Sequence, residues 1–118
     1  MDRKAMIRAY KETPRPMGVY RVHNTVSGKS LIGSSTDLTA VLNRQQAQLR
    51  FGGHPDRRLQ ADWNALGPDA FVFEVLDTLE PRDEPDYDAG TELDALEQLW
   101  LEKLAPGGDP GYKRPRRI

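Results

Sequence analysis

The chain has 118 residues, 37% of them hydrophobic and 30% charged, which is enough for one domain with a single modest core and too little for two. It has no cysteine, which excludes disulfides, thiolate metal sites and cysteine nucleophiles. No apolar run is long enough to span a membrane, and the charged opening "MDRKAMIRAYKETPRP" lacks the pattern of a signal peptide. These features predict a cytoplasmic protein.

The net charge of −1 conceals an uneven distribution along the chain. Residues 1–60 carry a net charge of +7, residues 61–102 carry −12, and residues 103–118 carry +4. A basic first half and a basic tail can attract phosphate even when the whole chain is nearly neutral. A solvated surface of mixed sign explains the same distribution equally well, so charge alone leaves both interpretations open.

A helix and a β-hairpin are predicted at the start of the chain. Residues 1–11 can form a short helix that ends before "TPRP", because prolines disfavour its continuation. Residues 19–22 and 30–32 are strand-like runs, and Gly28 stands in the loop between them at a position that favours a turn. The two runs are predicted to pair as an antiparallel hairpin.

Two helices are predicted next. In "SSTDLTAVLNRQQAQLRFGG", Asp37 is a candidate N-cap, and the glycines at 52 and 53 end the helix. In "HPDRRLQADWNALGP", Pro55 lies near the first turn, and Gly67 with Pro68 ends the helix. Each helix has one apolar face, formed by Leu38, Val41, Leu42, Gln45 and Leu49 in the first and by Leu59, Trp63 and Leu66 in the second.

A strand and a helix are predicted in the last third of the chain. The segment "AFVFEVLDTL" is apolar on both faces except at Glu74, which predicts a central or covered strand. An acidic, proline-bearing loop follows, and Thr91 with Asp94 three residues later suggests a capping box for a helix over residues 93–104. The element order is therefore β-β-α-α-β-α, which predicts a small α/β domain of the α+β type around a three-stranded sheet.

Glu97 is the residue that fits a simple core least well. It lies within the apolar stripe of the last predicted helix, where Leu93, Leu96 and Trp100 recur at helical spacing. A carboxylate that faces a core costs free energy unless it is paired or binds a metal ion. On this feature alone, a boundary glutamate paired with an arginine is the favoured interpretation.

Tyr20 and the two histidines carry little information by themselves. A tyrosine in a β-strand is most often a packed ring with its hydroxyl at the rim. His23 and His54 are isolated, and without a second histidine at ligand spacing neither predicts a zinc site.

Four segments, taken in order, resemble the GIY-YIG nuclease superfamily, and its homing- and phage-type branch in particular. They are "GVY" at 18–20, "NTVSGKSLIGSSTDL" at 24–38, "LRFGGHPDRRLQADWNALGPDAFVFEVLDTLE" at 49–80 and "ALEQLWLEKL" at 95–104. The resemblance implies a three-stranded antiparallel sheet flanked by helices. It divides the chain into an N-terminal helical extension (1–16), the GIY-YIG-like domain (17–104) and a basic C-terminal tail (105–118).

For active members of the superfamily, the resemblance implies metal-dependent cleavage of a DNA phosphodiester. One glutamate holds a divalent ion such as Mg²⁺, a tyrosine activates water, and an arginine neutralises the developing charge. Tyr20 matches the tyrosine and Glu97 the metal-binding glutamate, which reverses the interpretation of both residues. Gly18, Ile32 and Gly33 match framework positions.

Four other positions depart from the superfamily's pattern, so the active site resembles a degenerate one. Leu31 stands in place of the second tyrosine, Val41 in place of the arginine and Gln45 in place of a histidine. Lys113 stands where an asparagine is expected. Valine cannot balance charge on a phosphate, and glutamine cannot shuttle protons near neutral pH. Losing one preorganised charge stabiliser costs about 10²- to 10³-fold in rate.

Two cations are candidates to replace the missing arginine. Arg44 lies three residues beyond Val41, on an adjacent part of the same helical face, from which its guanidinium could reach the phosphate. Lys29 precedes the second strand, and an ammonium beside the Tyr20 hydroxyl would lower its pKa. For both cations, a solvated surface charge is the alternative, and it is the favoured interpretation.

Three functions are consistent with these residues. The favoured one is nucleic-acid binding, to DNA in particular, with weak or absent cleavage. Its phosphate contacts would be Lys29, Arg44, Arg50, Arg57, Arg58, Lys113, Arg114, Arg116 and Arg117. The second is an active endonuclease that uses Tyr20, Arg44 and an Mg²⁺ or Mn²⁺ ion held by Glu97. The third and least favoured is a protein-interaction module that docks through the acidic loop over residues 80–94.

Overall fold

The structure, a computed structural model, describes residues 15–80, 86–105 and 109–112. Its strands are β1 (Met17–Asn24), β2 (Ser30–Ser35) and β3 (Phe71–Leu79), and its helices are α1 (Leu38–Phe51), α2 (Arg57–Leu66) and α3 (Ala89–Leu104). A 3-10 turn, Pro68–Ala70, leads into β3. The predicted order β-β-α-α-β-α and the α+β fold class are confirmed.

The three strands form one antiparallel sheet in the order β2-β1-β3, so β1 is the central strand. The predicted hairpin pairs β1 with β2. Tyr20 lies opposite Gly33, and Val22 lies opposite Leu31. Because side chains alternate between the two faces of a strand, Tyr20, Val22 and Leu31 share one face of the sheet.

The turn of the hairpin is closed by Asn24 and Gly28. The Asn24 Oδ1 accepts hydrogen bonds from the backbone N–H groups of Val26 and Ser27, at 3.0 and 3.1 Å. Gly28 has a φ of +81°, a left-handed conformation that residues with a β-carbon rarely adopt. These two residues explain why the chain reverses here, as predicted.

β3 lies at an edge of the sheet, so the prediction of a central or covered strand is wrong. Its Val72 and Val75 are 42% and 46% exposed. The apolar run on both faces has a different cause. The register shifts between Val19 and Tyr20, where β3 carries one extra residue, so alternate β3 side chains exchange faces of the sheet at that point.

One face of the sheet forms the main core together with α1 and α2. The buried cluster consists of Tyr20, Val22, Leu31, Leu38, Val41, Leu49, Leu59, Trp63, Ala70, Phe71 and Tyr112. Trp63 of α2 packs on Phe71 of β3 with ring centres 5.3 Å apart. Leu66, which was predicted for the same stripe of α2, is the last residue of the helix and is 42% exposed. α2 therefore anchors to the sheet through its first two turns.

α3 packs across β1 and β2 and begins earlier than predicted. Its N-cap is Asp88, whose Oδ1 accepts a hydrogen bond from the backbone N–H of Gly90 at 3.0 Å. The Thr91 hydroxyl donates to Asp88 Oδ2 at 2.7 Å. Thr91 therefore lies inside the helix, and the predicted capping box with Asp94 is wrong.

Some predictions concern residues outside the described ranges. The helix over residues 1–11 and the tail cations Lys113, Arg114, Arg116 and Arg117 lie there, so they stay predictions, as does the division of the chain near residues 16 and 105. Within the described ranges, no helix combines the length and the apolar character that a membrane span requires.

Gly18 lies where β1 and β3 approach each other closely. A β-carbon at this position would be 2.8 Å from Thr78 Cα and closer still to the Asp77 carbonyl oxygen. We expect Gly18→Ala to lower the free energy of unfolding by about 2–3 kcal/mol, because two paired backbones must move apart. Urea denaturation measures this loss. Gly53→Ala is the matched control, since a β-carbon there meets nothing within 4 Å; equal losses in the two variants would contradict the prediction.

Candidate active site

The candidate site converges on the hydroxyl of Tyr20. This side chain is 2% exposed. The charges of Glu97 on α3 and Arg44 on α1 act on it, and so does the Gln45 side chain. Burial raises the pKa of Tyr20 to about 12; the Glu97 charge adds to the rise, whereas Arg44 and Gln45 oppose it. Three residues predicted from the sequence, Tyr20, Glu97 and Arg44, therefore belong to one electrostatic site.

The helical period of α1 presents both Arg44 and Gln45 to this site. Val41, Gln45 and Leu49 recur every four residues and are buried, whereas Arg44 is exposed. An exposed guanidinium whose charge reaches the Tyr20 hydroxyl can meet an anion that arrives from solvent. Arg44 is thus exposed to solvent, and its charge lowers the pKa of Tyr20.

Glu97 occupies the buried side of α3, as the apolar stripe predicted. It is 4% exposed, and Leu93, one turn earlier, is 0% exposed. A carboxylate offers the oxygen ligands that Mg²⁺ takes, and Mg²⁺ is commonly held by one or two carboxylates together with substrate phosphates and water. Across the described residues, no group of three His, Cys, Asp or Glu could hold a metal ion. Glu97 therefore fits Mg²⁺ or Mn²⁺ as a single protein ligand in a site that a phosphate would complete.

Leu31 and Val41 place apolar side chains where the superfamily has polar ones. They are 1% and 5% exposed and belong to the same buried cluster as Tyr20. Neither side chain can donate a hydrogen bond or balance a charge. Both side chains are therefore part of the buried core beside Tyr20.

His54, which had seemed isolated in the sequence, contacts this site through Gln45. Its Nε2 lies 2.5 Å from the Gln45 Oε1, and the side chain is 7% exposed. His54 stands in the connection between α1 and α2, outside any periodic element. No spacing rule could therefore have paired it with a residue of α1.

Lys29 belongs to a second polar cluster, centred on Tyr112. Its Nζ lies 3.6 Å from Asp62 Oδ2 and 5.8 Å from the centre of the Tyr112 ring. The Tyr112 hydroxyl donates to Asp62 Oδ2 at 2.6 Å and accepts from Asn24 Nδ2 at 3.0 Å. Within the described part of the chain, the charges that act on Tyr20 are those of Glu97 and Arg44, so the proposed effect of Lys29 on the pKa of Tyr20 is not found.

The other described cations that were predicted to contact phosphate lie on the surface of α1 and α2. Arg50 is exposed in the last turn of α1, and Arg57 and Arg58 are exposed in the first turn of α2. Arg57 and Arg58 line a groove of about 460 Å³ together with Tyr112 and Asp109. The groove thus joins the start of α2 to the segment that leads into the basic tail.

No family model and no curated protein sequence matches the chain. Two solved structures are similar to it. The catalytic domain of homing endonuclease I-TevI is 26% identical, with a TM-score of 0.59 over 75% of this chain and 87% of that one. A mutant of the catalytic domain of intron endonuclease I-TevI is 22% identical, with a TM-score of 0.64 over 83% of this chain and 92% of that one.

The architecture is therefore that of a small nuclease domain. More narrowly, it is the GIY-YIG fold, and the resemblance drawn from the sequence is confirmed. The similarity supports a nuclease-type function that acts on nucleic acid.

Tyr20 should make the protein less stable at high pH. Its pKa is about 12 in the folded chain against 10.0 for an ordinary tyrosine, so the unfolded chain releases this proton first. Its contribution is therefore complete below pH 10 and is lost as the pH rises from 10 towards 12. We expect Tyr20→Phe to reduce this loss by about 2 kcal/mol. Urea denaturation from pH 8 to 11.5 measures how the free energy of unfolding falls with pH. An equally steep fall in Tyr20→Phe and wild type would contradict the prediction.

Proposed function

We propose that this protein binds DNA and cleaves its phosphodiester bonds weakly, in a reaction that depends on Mg²⁺ or Mn²⁺. One observation carries the proposal: a buried carboxylate, Glu97, and an exposed guanidinium, Arg44, both act on the hydroxyl of Tyr20. A carboxylate beside the tyrosine offers an oxygen ligand for a divalent ion, which cleavage would use and DNA binding alone would not.

Each of the three residues has a distinct role in this proposal. Glu97 would hold the divalent ion, which when bound supplies positive charge to the phosphate and to the leaving oxygen. Arg44 offers a second positive charge from the solvent side of α1. Tyr20 remains protonated at neutral pH because its pKa is about 12, so its hydroxyl orients an attacking water and does not act as a ready base.

Cleavage is expected to be weak because two supporting groups are missing. Leu31 and Val41 contribute no polar atom beside Tyr20. Loss of a single preorganised charge stabiliser lowers rates about 10²- to 10³-fold, and Arg44 approaches from a position one turn away from the usual arginine. The same scaffold thus retains the carboxylate and the tyrosine while losing much of the stabilisation of the transition state.

DNA would be held through the exposed arginines. Arg44, Arg50, Arg57 and Arg58 are exposed on α1 and α2, and Lys29 lies beside Asp62 at the hairpin. The tail cations Lys113, Arg114, Arg116 and Arg117 follow Tyr112 directly in the sequence and would extend this surface. Contacts of this kind bind phosphate without reading bases, so affinity should fall steeply with added salt.

A second candidate function is DNA binding with no cleavage. The observation that favours it is the burial of Tyr20, which is 2% exposed and offers little access to an attacking water. Both candidates require the same DNA-binding surface. They differ in whether metal and Glu97 have any effect on the DNA.

The decisive experiment is a nicking assay on supercoiled plasmid with Mg²⁺ or Mn²⁺, beside EDTA. Under the main proposal, nicking requires metal, disappears in Glu97→Ala and persists in Glu102→Ala, an exposed glutamate of the same helix. Salt-sensitive DNA binding with equal background in all lanes would support the second candidate. DNA affinity that is absent, or insensitive to salt, would contradict both.

A further inference from the structure

His54 is a buried polar residue to which the proposed function assigns no role. It is 7% exposed and lies in the connection between α1 and α2. Both of its ring nitrogens are engaged: Nδ1 with the backbone N–H of Asp56 at 3.0 Å, and Nε2 with the Gln45 side chain at 2.5 Å. A ring held at both nitrogens in a buried position is fixed in orientation.

The hydrogen-bond partners of His54 determine where its proton resides. The backbone N–H of Asp56 can only donate, so His54 Nδ1 must accept and carries no hydrogen. In the neutral ring the proton is then on Nε2. The Nε2–H group donates to the Gln45 side chain, and the atom that accepts it must be the amide oxygen Oε1.

The orientation of the Gln45 amide follows from this proton. With its Oε1 facing His54, its NH₂ group faces away from the histidine. Gln45 is buried on the same side of α1 as Val41 and Leu49, which pack in one cluster with Tyr20, and its side chain lowers the pKa of the tyrosine, as a donor facing the phenolic oxygen would. The part of the amide that acts on Tyr20 is therefore its NH₂ group.

We propose that His54 is a positioning residue, which fixes the Gln45 amide so that its NH₂ group donates to the Tyr20 hydroxyl oxygen. An amide has two orientations related by a flip, and only one of them presents a donor to Tyr20. With its oxygen occupied as an acceptor, Tyr20 directs its own hydrogen to another partner. A catalytic use of the oriented Tyr20 hydroxyl rests on the proposed function, whereas the orientation of the amide does not.

His54 is itself held by α2. Its backbone N–H donates to Gln60 Oε1 at 3.1 Å. The Gln60 Nε2 donates in turn to the Leu49 carbonyl oxygen of α1 at 2.9 Å and to Asn64 Oδ1 at 3.1 Å. The orientation of the histidine thus depends on the packing of α2 against α1, and this couples the two helices to the Tyr20 hydroxyl.

The tautomer of His54 provides a test that requires neither DNA nor metal. In ¹⁵N-labelled wild-type protein at pH 7.5, we expect the His54 Nδ1 resonance at an unprotonated position and the Nε2 resonance at a protonated one. His23, which contacts the Ser30 hydroxyl instead, provides the second histidine of the spectrum, and His23→Gln assigns it. A His54 proton on Nδ1, or on both nitrogens, would overturn the proposal.

Two variants test whether the histidine acts through Gln45. His54→Leu removes the donor, whereas His54→Gln retains an N–H near the same place. In ¹³C-labelled tyrosine spectra we expect the Tyr20 ring carbon bearing the hydroxyl to shift in His54→Leu and to stay near its wild-type position in His54→Gln. A folded His54→Leu with an unchanged Tyr20 resonance would overturn the proposal, and the tautomer measurement decides it if that variant does not fold.

The nicking assay separates this inference from the proposed function. If the wild type cleaves, His54→Leu should lower the rate about 10-fold, and His54→Gln should recover most of it. If the wild type does not cleave, the tautomer and the Tyr20 resonance still test the positioning role. Failure of the nuclease proposal would therefore leave the two spectroscopic results intact.

Discussion

Arg44→Ala is expected to lower the rate of metal-dependent nicking about 100-fold, the usual effect of removing one preorganised charge stabiliser. Arg44 is the described cation whose charge acts on Tyr20, and it lies one helical turn from Val41, which replaces the expected arginine. Plasmid nicking at saturating protein measures the loss. Because the variant also loses a phosphate contact, its DNA affinity must be measured separately.

Arg50→Ala provides the matched control for Arg44→Ala. Arg50 is exposed on the same helix, and Arg50→Ala removes one positive charge, as Arg44→Ala does. Both variants should weaken DNA binding to a similar extent, whereas only Arg44→Ala should slow nicking. The pKa of Tyr20 gives a second readout in the absence of cleavage, since it should rise further in Arg44→Ala alone. Equal nicking by the two variants would mean that Arg44 does not replace the missing arginine.

Tyr112→Ala is expected to lower the free energy of unfolding by about 3–5 kcal/mol, the usual cost of removing a buried aromatic ring. The ring is 3% exposed and belongs to the main buried cluster. Its hydroxyl joins Asp62 of α2 to Asn24 at the end of β1. The backbone also pairs there, since the Tyr112 N–H donates to the Ser30 carbonyl oxygen at 3.3 Å. Tyr112 therefore ties the C-terminal segment to both the hairpin and α2.

Tyr112→Phe separates the ring from the hydroxyl. We expect it to cost about 1–3 kcal/mol, because Asp62 and Asn24 each lose a buried partner. Tyr87→Ala is the control, since Tyr87 is only half-buried and should cost less than Tyr112→Ala. Urea denaturation measures all three variants. A loss below about 1 kcal/mol in Tyr112→Ala would show that the C-terminal segment does not stabilise the domain.

The parts of the fold that sequence analysis predicted are those set by local patterns. Gly28 marks the hairpin turn because few other residues adopt its backbone conformation. Asp37 caps α1 by accepting a hydrogen bond from the Ala40 N–H at 3.1 Å, as its position before an apolar stripe predicted. Glu97 stood out because a charged residue interrupted a helical apolar stripe, and it is indeed buried.

Of two predictions that failed, one depended on pairing with a distant strand and the other on a competing residue nearby. β3 contains an apolar run typical of a central strand, yet it lies at the edge of the sheet, beside β1. Thr91 and Asp94 satisfied the capping-box pattern, but Asp88 accepts a hydrogen bond closer to the true start of α3. As far as the local sequence is concerned, either Asp88 or Thr91 could have capped the helix.

The sequence by itself determined the order of elements and, through its resemblance to the GIY-YIG superfamily, the fold and the two candidate site residues Tyr20 and Glu97. These features follow from periodicity, turn chemistry and motifs within short stretches of chain. The tertiary structure alone decided that the charge of Arg44 acts on Tyr20, that the charge of Lys29 does not, and that His54 contacts the Gln45 amide. Such relations depend on how α1, α2 and the hairpin pack, and hydrogen bonds between separate elements leave no period in the sequence.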